Sequence, residues 1–75
     1  MRASVAEAAS IALVVNGAEH TTTALTLEQW VDQQGLSQHE VATALNSQFV
    51  PRTQRAAQVL NTGDAIVTFQ PIEGG

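Results

Sequence analysis

The stretch Ile11 to Gly17, IALVVNG, constrains this chain most. Ile11, Leu13 and Val15 alternate with Ala12, Val14 and Asn16, which is the period of an extended strand. Both sets are mostly apolar, so a strand over Ile11 to Asn16 is expected inside a sheet rather than at its edge. Asn16-Gly17 then predicts a tight hairpin, because a type I′ turn needs positive φ at both central residues. The return strand is expected over about Glu19 to Thr23, and its threonine-rich, polar character suits an edge. A sheet begun this way must bury one face, and 75 residues leave room for one small domain to do it.

The cover for that face follows directly. Thr26-x-x-Gln29 fits a capping box, in which the hydroxyl takes an orphan backbone N–H and the glutamine reaches back. Leu27, Trp30 and Val31 fall on one helical face, and Glu28, Gln29, Asp32 and Gln33 on the other. Gly35 supplies the left-handed position that ends a helix, so the helix is expected over Leu27 to Gln34. Trp30 is expected to pack on the sheet. Beyond it, Ser37-x-x-Glu40 again resembles a capping box, and the local sequence favours helix over Val41 to Leu45. A strand there, a turn at Asn46-Ser47 and a short strand Gln48 to Val50 form the competing reading. Pro51 ends regular pairing because it lacks an N–H. Pro51 to Leu60 reads as a loop or one helical turn. Asn61-Thr62-Gly63-Asp64 is turn chemistry. A last strand is expected over Ala65 to Gln70, with Ala65, Val67 and Phe69 on one face.

The expected organisation is a flexible N-terminal extension over residues 1–10, a domain over 11–70 and a flexible tail over 71–75. Composition then excludes several functions. The sequence has no cysteine, so it offers no disulfide, thiolate metal site or cysteine nucleophile. His20 and His39 have no recognisable zinc spacing, and each reads as a solvated surface residue, so no metal is expected. Glu28 and Asp32 read as a solvated helix face rather than an acid–base pair. Gly17, Gly35 and Gly63 are isolated turn or cap residues, not a phosphate-binding loop. The net charge is −4, and the three bases are Arg2, Arg52 and Arg55, with no lysine. That set cannot build the basic patch that nucleic acid requires. Neither a secretory h-region nor a membrane-length apolar run is present, so a cytoplasmic protein is expected.

What remains is the ending, Gln70-Pro71-Ile72-Glu73-Gly74-Gly75. Two glycines leave little bulk around the terminal carboxylate and impose few backbone limits. Such an end can thread a narrow channel into another protein's active site. An ionised carboxylate is a poor electrophile, but attack on the α-phosphate of ATP would give an acyl-adenylate with AMP as a good leaving group. A sulfur donor could then displace AMP and leave a thiocarboxylate. No ATP site is evident in the chain, so a partner enzyme must supply the activation.

Taken together, VVNG, TLEQWVDQQGL, ALNSQFVPR, NTGDAIVTFQ and PIEGG resemble the ThiS family of sulfur carriers over about Ile11 to Gly75. The resemblance implies an α+β, β-grasp (ubiquitin-like) fold, with a mixed sheet and one main helix packed on one face. It turns Val41 to Leu45 into a strand against the local helical preference, and that reading is followed here. It further implies that Gly75 is adenylated by a ThiF-like adenylating enzyme using ATP. The chain itself is then a carrier, not an enzyme, and binds no cofactor. A cysteine desulfurase system supplies sulfur, and a ThiG-like thiazole synthase consumes the thiocarboxylate. Gly74 is the lead-in, Ile72 and Glu73 are recognition residues, and the open sheet face near Phe49 and Phe69 docks on partners. Two departures from the family pattern are the segment before Ile11 and Phe49, where a smaller aliphatic residue is usual. A MoaD-like carrier for molybdopterin synthesis and a ubiquitin-like protein modifier are the alternatives.

Overall fold

The structure, a computed structural model, describes residues 10–70. The expected extension, apart from Ser10, and the expected tail over 71–75 lie outside the described residues. Among the described residues, five strands and one α-helix follow in order: β1 (Ile11–Val15), β2 (Ala18–Thr22), α1 (Leu27–Gln33), β3 (Ala42–Leu45), β4 (Gln48–Val50) and β5 (Ala65–Phe69). A 3-10 helix, Arg52–Ala57, lies between β4 and β5. The sheet order is β2-β1-β5-β3-β4. β1 and β5 pair in parallel, and the other neighbours pair antiparallel. This mixed sheet, with α1 packed on one face, is the β-grasp arrangement that the resemblance implied.

The local chemistry explains each element. Asn16 and Gly17 take φ values of 50° and 86°, as the type I′ hairpin between β1 and β2 demands. Asn46 and Ser47, at 51° and 71°, make the same kind of turn between β3 and β4. β1 lies inside the sheet and β2 at its edge, as their apolar and polar patterns predict. Thr26 caps α1, its Oγ1 accepting from the Gln29 N–H at 3.2 Å. The reciprocal bond is displaced by one residue, because Gln29 Oε1 accepts from the Leu25 N–H at 2.8 Å. At the other end the Leu36 N–H donates to the Val31 carbonyl and the Gly35 N–H to that of Asp32. Those two bonds form a Schellman motif, and Gly35 takes the φ of 73° that it requires.

The core lies between α1 and one sheet face. Leu27, Trp30 and Val31 from the helix meet Leu13, Val15, Leu45, Val50 and Ile66 from the strands, with Ala24, Val41 and Leu60 completing the cluster. Trp30 is fully buried, as expected of a packing residue.

Residues 42–45 form a strand, so the local helical preference of this segment is overridden. Two causes are visible. Val41, Thr43 and Leu45 alternate inward, a period of two that a helix could not bury. The Arg55 guanidinium also holds the approach to β3, donating to the carbonyls of Gln38 (2.9 Å) and Val41 (2.6 Å) and to Thr43 Oγ1 (3.1 Å).

Candidate functional site

β5 is the strand that delivers the chain to its C-terminal residues, so its surroundings define the site. It lies in the centre of the sheet, between β1 and β3. Its alternation splits it cleanly. Ile66 is fully buried against α1, while Val67 and Phe69 are exposed on the opposite face. Register then places the neighbours. Phe69 stands opposite Ala42, and Ala44 stands between Val67 on one side and Phe49 on the other. Val14 stands opposite Ala65. The open face is therefore an apolar surface, with two small alanines forming a floor between two aromatic rings. Phe49 is 66% exposed and Phe69 51%, values too high for side chains held by their own domain.

Two asparagines hold β5 in this position. Asn16 Oδ1 accepts from the Thr68 N–H at 3.0 Å, and its Nδ2 donates to Thr68 Oγ1 at 3.1 Å. Asn46 Oδ1 accepts from the Ala65 N–H at 2.9 Å, and its Nδ2 donates to Asp64 Oδ1 at 3.0 Å. Each side chain reaches out of a hairpin turn and fixes one end of the strand. Sequence reasoning took both residues as turn formers and missed this second task. The signal was an asparagine closing a strand of apolar character, but its partner is 52 or 19 residues away and has no local trace.

The hydrogen bonds around the turn over 61–64 fix where β5 begins. Asp64 Oδ2 accepts from the Asn61 N–H, and the Asp64 carbonyl accepts from the Val14 N–H. Thr62 Oγ1 accepts from the Ala12 N–H at 3.0 Å. Beneath the sheet, burial pushes the Arg55 guanidinium below its usual pKa, with Arg52 adding repulsion and Glu28 opposing it. Arg55 is 2% exposed, yet its partners are carbonyl, amide and hydroxyl oxygens, so it acts as a structural clamp beside the site.

Of the residues that the sequence marks for function, Phe69 lies on the open face beside the end of β5. Ile72, Glu73, Gly74 and Gly75 lie outside the described residues. Phe49 shares the open face with Phe69, two strands away. His20 and His39 are both exposed, and among the described residues no three His, Cys, Asp or Glu side chains gather as metal ligands would. No described helix is long and apolar enough to cross a membrane.

Comparison with known proteins agrees with this architecture. The family model of the ThiS family matches residues 5–75. The sulfur carrier protein ThiS of Escherichia coli (strain K12) is 40% identical over 50 residues, covering 67% of this chain and 76% of that protein. The crystal structure of a thiamine biosynthesis protein (ThiS) from Geobacter metallireducens superposes with a TM-score of 0.74 at 25% identity, over 87% of this chain and 100% of that one. A match that runs through the hairpin, the helix and the Gly-Gly ending, joined to a shared fold, leads to one conclusion: the chain belongs to the ThiS family.

Proposed function

We propose that this chain carries sulfur as a thiocarboxylate on Gly75 and donates it to thiazole formation in thiamine biosynthesis. The observation that carries the reading is the placement of Gly74-Gly75 shortly after β5, a strand whose outer face is apolar and exposed. The chain acts as co-substrate rather than catalyst. A carboxylate oxygen of Gly75 attacks the α-phosphate of ATP, forming a phosphorus–oxygen bond and releasing pyrophosphate. The carbonyl carbon then accepts a sulfur nucleophile, and AMP leaves with the electron pair of its bond. The ATP belongs to a ThiF-like adenylating enzyme, the sulfur comes from a cysteine desulfurase system, and a ThiG-like thiazole synthase takes the product.

This chain's own contribution is recognition and positioning. The open face presents Phe49, Val67 and Phe69 as the docking surface, which loses water when a partner covers it. Ile72 and Glu73 lead from that surface to the reacting end, where Gly74 adds no side-chain bulk. The names of both relatives, a sulfur carrier and a thiamine biosynthesis protein, favour the thiazole branch over molybdopterin synthesis. ATP–pyrophosphate exchange with a ThiF-like enzyme tests the carboxylate's role. Deleting Gly75 is expected to abolish exchange while circular dichroism stays unchanged. Exchange retained by the deleted chain would contradict the mechanism.

A further inference from the structure

Where β1 turns away from β5, a side chain continues the pairing. Val14 and Val15 pair with Ala65 and Ile66, and the Asn16 N–H donates to the Ile66 carbonyl at 2.9 Å. The main chain then enters its hairpin turn at Gly17, with a φ of 86°. The next rung is made by the Asn16 carboxamide. Its Oδ1 accepts from the Thr68 N–H, and its Nδ2 donates to Thr68 Oγ1. Both atoms of this amide are therefore committed to β5.

The same amide has a second reaction open to it. The backbone nitrogen of the following residue can attack an asparagine Cγ, and a glycine there adds no side chain to obstruct the approach. Asn16 is exposed, and a Cβ placed on Gly17 would meet nothing within 4 Å, so no neighbouring atom blocks the route. The other asparagines, Asn46 and Asn61, precede Ser47 and Thr62, whose side chains crowd the attacking nitrogen. To reach that nitrogen, the Asn16 carboxamide must first give up its bonds to Thr68.

We propose that Asn16 is a latent self-modification site, held unreactive by Thr68 while the end of β5 is in place. When those bonds open, the Gly17 nitrogen attacks Asn16 Cγ and a carbon–nitrogen bond forms. The bond from Cγ to the amide nitrogen breaks, and ammonia leaves with its electron pair and the Gly17 proton. Water then adds to either carbonyl of the five-membered ring and opens it to aspartate or isoaspartate. Neither product carries the Nδ2 donor that Thr68 Oγ1 accepts from. Isoaspartate also lengthens the main chain by one carbon inside a two-residue turn, so the β1–β2 register and the anchor on β5 are no longer both kept. The modification is a one-way record that this end of β5 has opened.

The test uses the full chain alone, so its result stands apart from the sulfur-carrier reading. The chain is held in mildly alkaline buffer, folded or in denaturant, and peptide mapping by mass spectrometry follows each asparagine. Isoaspartate is read by labelling with a protein-isoaspartate methyltransferase. In denaturant Asn16 is expected to react before Asn46 and Asn61, and folding is expected to slow it. Thr68→Val keeps the shape of the side chain but removes the acceptor. Folded, it is expected to react about fivefold faster than the wild type, the factor that one ordinary hydrogen bond supplies. Thr68→Ser keeps the hydroxyl and is expected to stay near the wild-type rate. Circular dichroism and urea unfolding check that the variants are folded, and Thr68→Ala makes the same removal if the valine variant is not. A folded wild type that reacts as fast as the denatured chain would overturn the proposal. So would a folded valine or alanine variant that reacts no faster than the wild type.

Discussion

Arg55 brings a charged group into the interior, and its hydrogen bonds define what it does there. Its guanidinium donates to Thr43 Oγ1, to the carbonyls of Gln38 and Val41, and to Gln38 Oε1. Gln38 Nε2 in turn donates to Asp32 Oδ1 and to the Glu28 carbonyl, so the clamp ties α1 to β3. Removing the side chain leaves buried acceptors unpaired, at about 1–3 kcal/mol each. Arg55→Ala is expected to lose about 3 kcal/mol or more of stability, measured by urea unfolding followed through Trp30 fluorescence. Arg55→Lys should recover only part of this, since an ammonium lacks the planar fork. A loss below about 0.5 kcal/mol in the alanine variant would show that the clamp is dispensable. The sequence showed Arg55 as one base in a loop. Its partners begin 12 residues away, and nothing local marks them.

At the scale of elements, α1 and β5 divide the work of fold and site. Helix α1 has seven residues, too few to persist alone, so its cap and its packing must hold it. Thr26→Ala is expected to cost about 1 kcal/mol in the same unfolding assay, and no change would place the stability wholly in the packed face. β5 shows the converse arrangement, with one face packed in the core and one left open. Phe69→Ser should change stability by less than about 1 kcal/mol, since its ring is half exposed. The same variant is expected to weaken binding to a ThiF-like enzyme by at least about tenfold, as loss of a central aromatic anchor does. Unchanged affinity, read by titration calorimetry, would remove the open face from recognition. Most of these elements were legible. The Asn16-Gly17 turn and the alternation in β1 and β5 announced themselves, because hairpin chemistry is local, whereas the Asn46-Ser47 turn came only with the strand reading of the segment before it. Residues 42–45 were not, because alanine and leucine favour helix locally while β3 is specified by pairing to β4 and β5. The resemblance, not the propensity, gave the right answer there. Of the site, alternation put Phe69 on one face with Val67 and the resemblance made that face the open one, whereas the asparagine supports of β5 depend on contacts that cross the fold.

On the proposed reading, the whole molecule joins a small folded handle to a reactive end. Among the described residues eleven buried apolar side chains build the core, and the proposal leaves the chemistry to the terminal carboxylate. This division explains why the sequence is rich in turn and cap signals and poor in nucleophiles. It also explains why the largest exposed aromatic surface lies on the face opposite α1. The central claim is that Gly75 accepts sulfur, and intact-mass spectrometry tests it most directly. The chain is incubated with a ThiF-like adenylating enzyme, ATP and a cysteine desulfurase system with cysteine. The account predicts a mass gain equal to the exchange of one oxygen for sulfur, located at Gly75 by fragmentation and absent without ATP. An unchanged mass, with an enzyme that converts its own carrier under the same conditions, would contradict it.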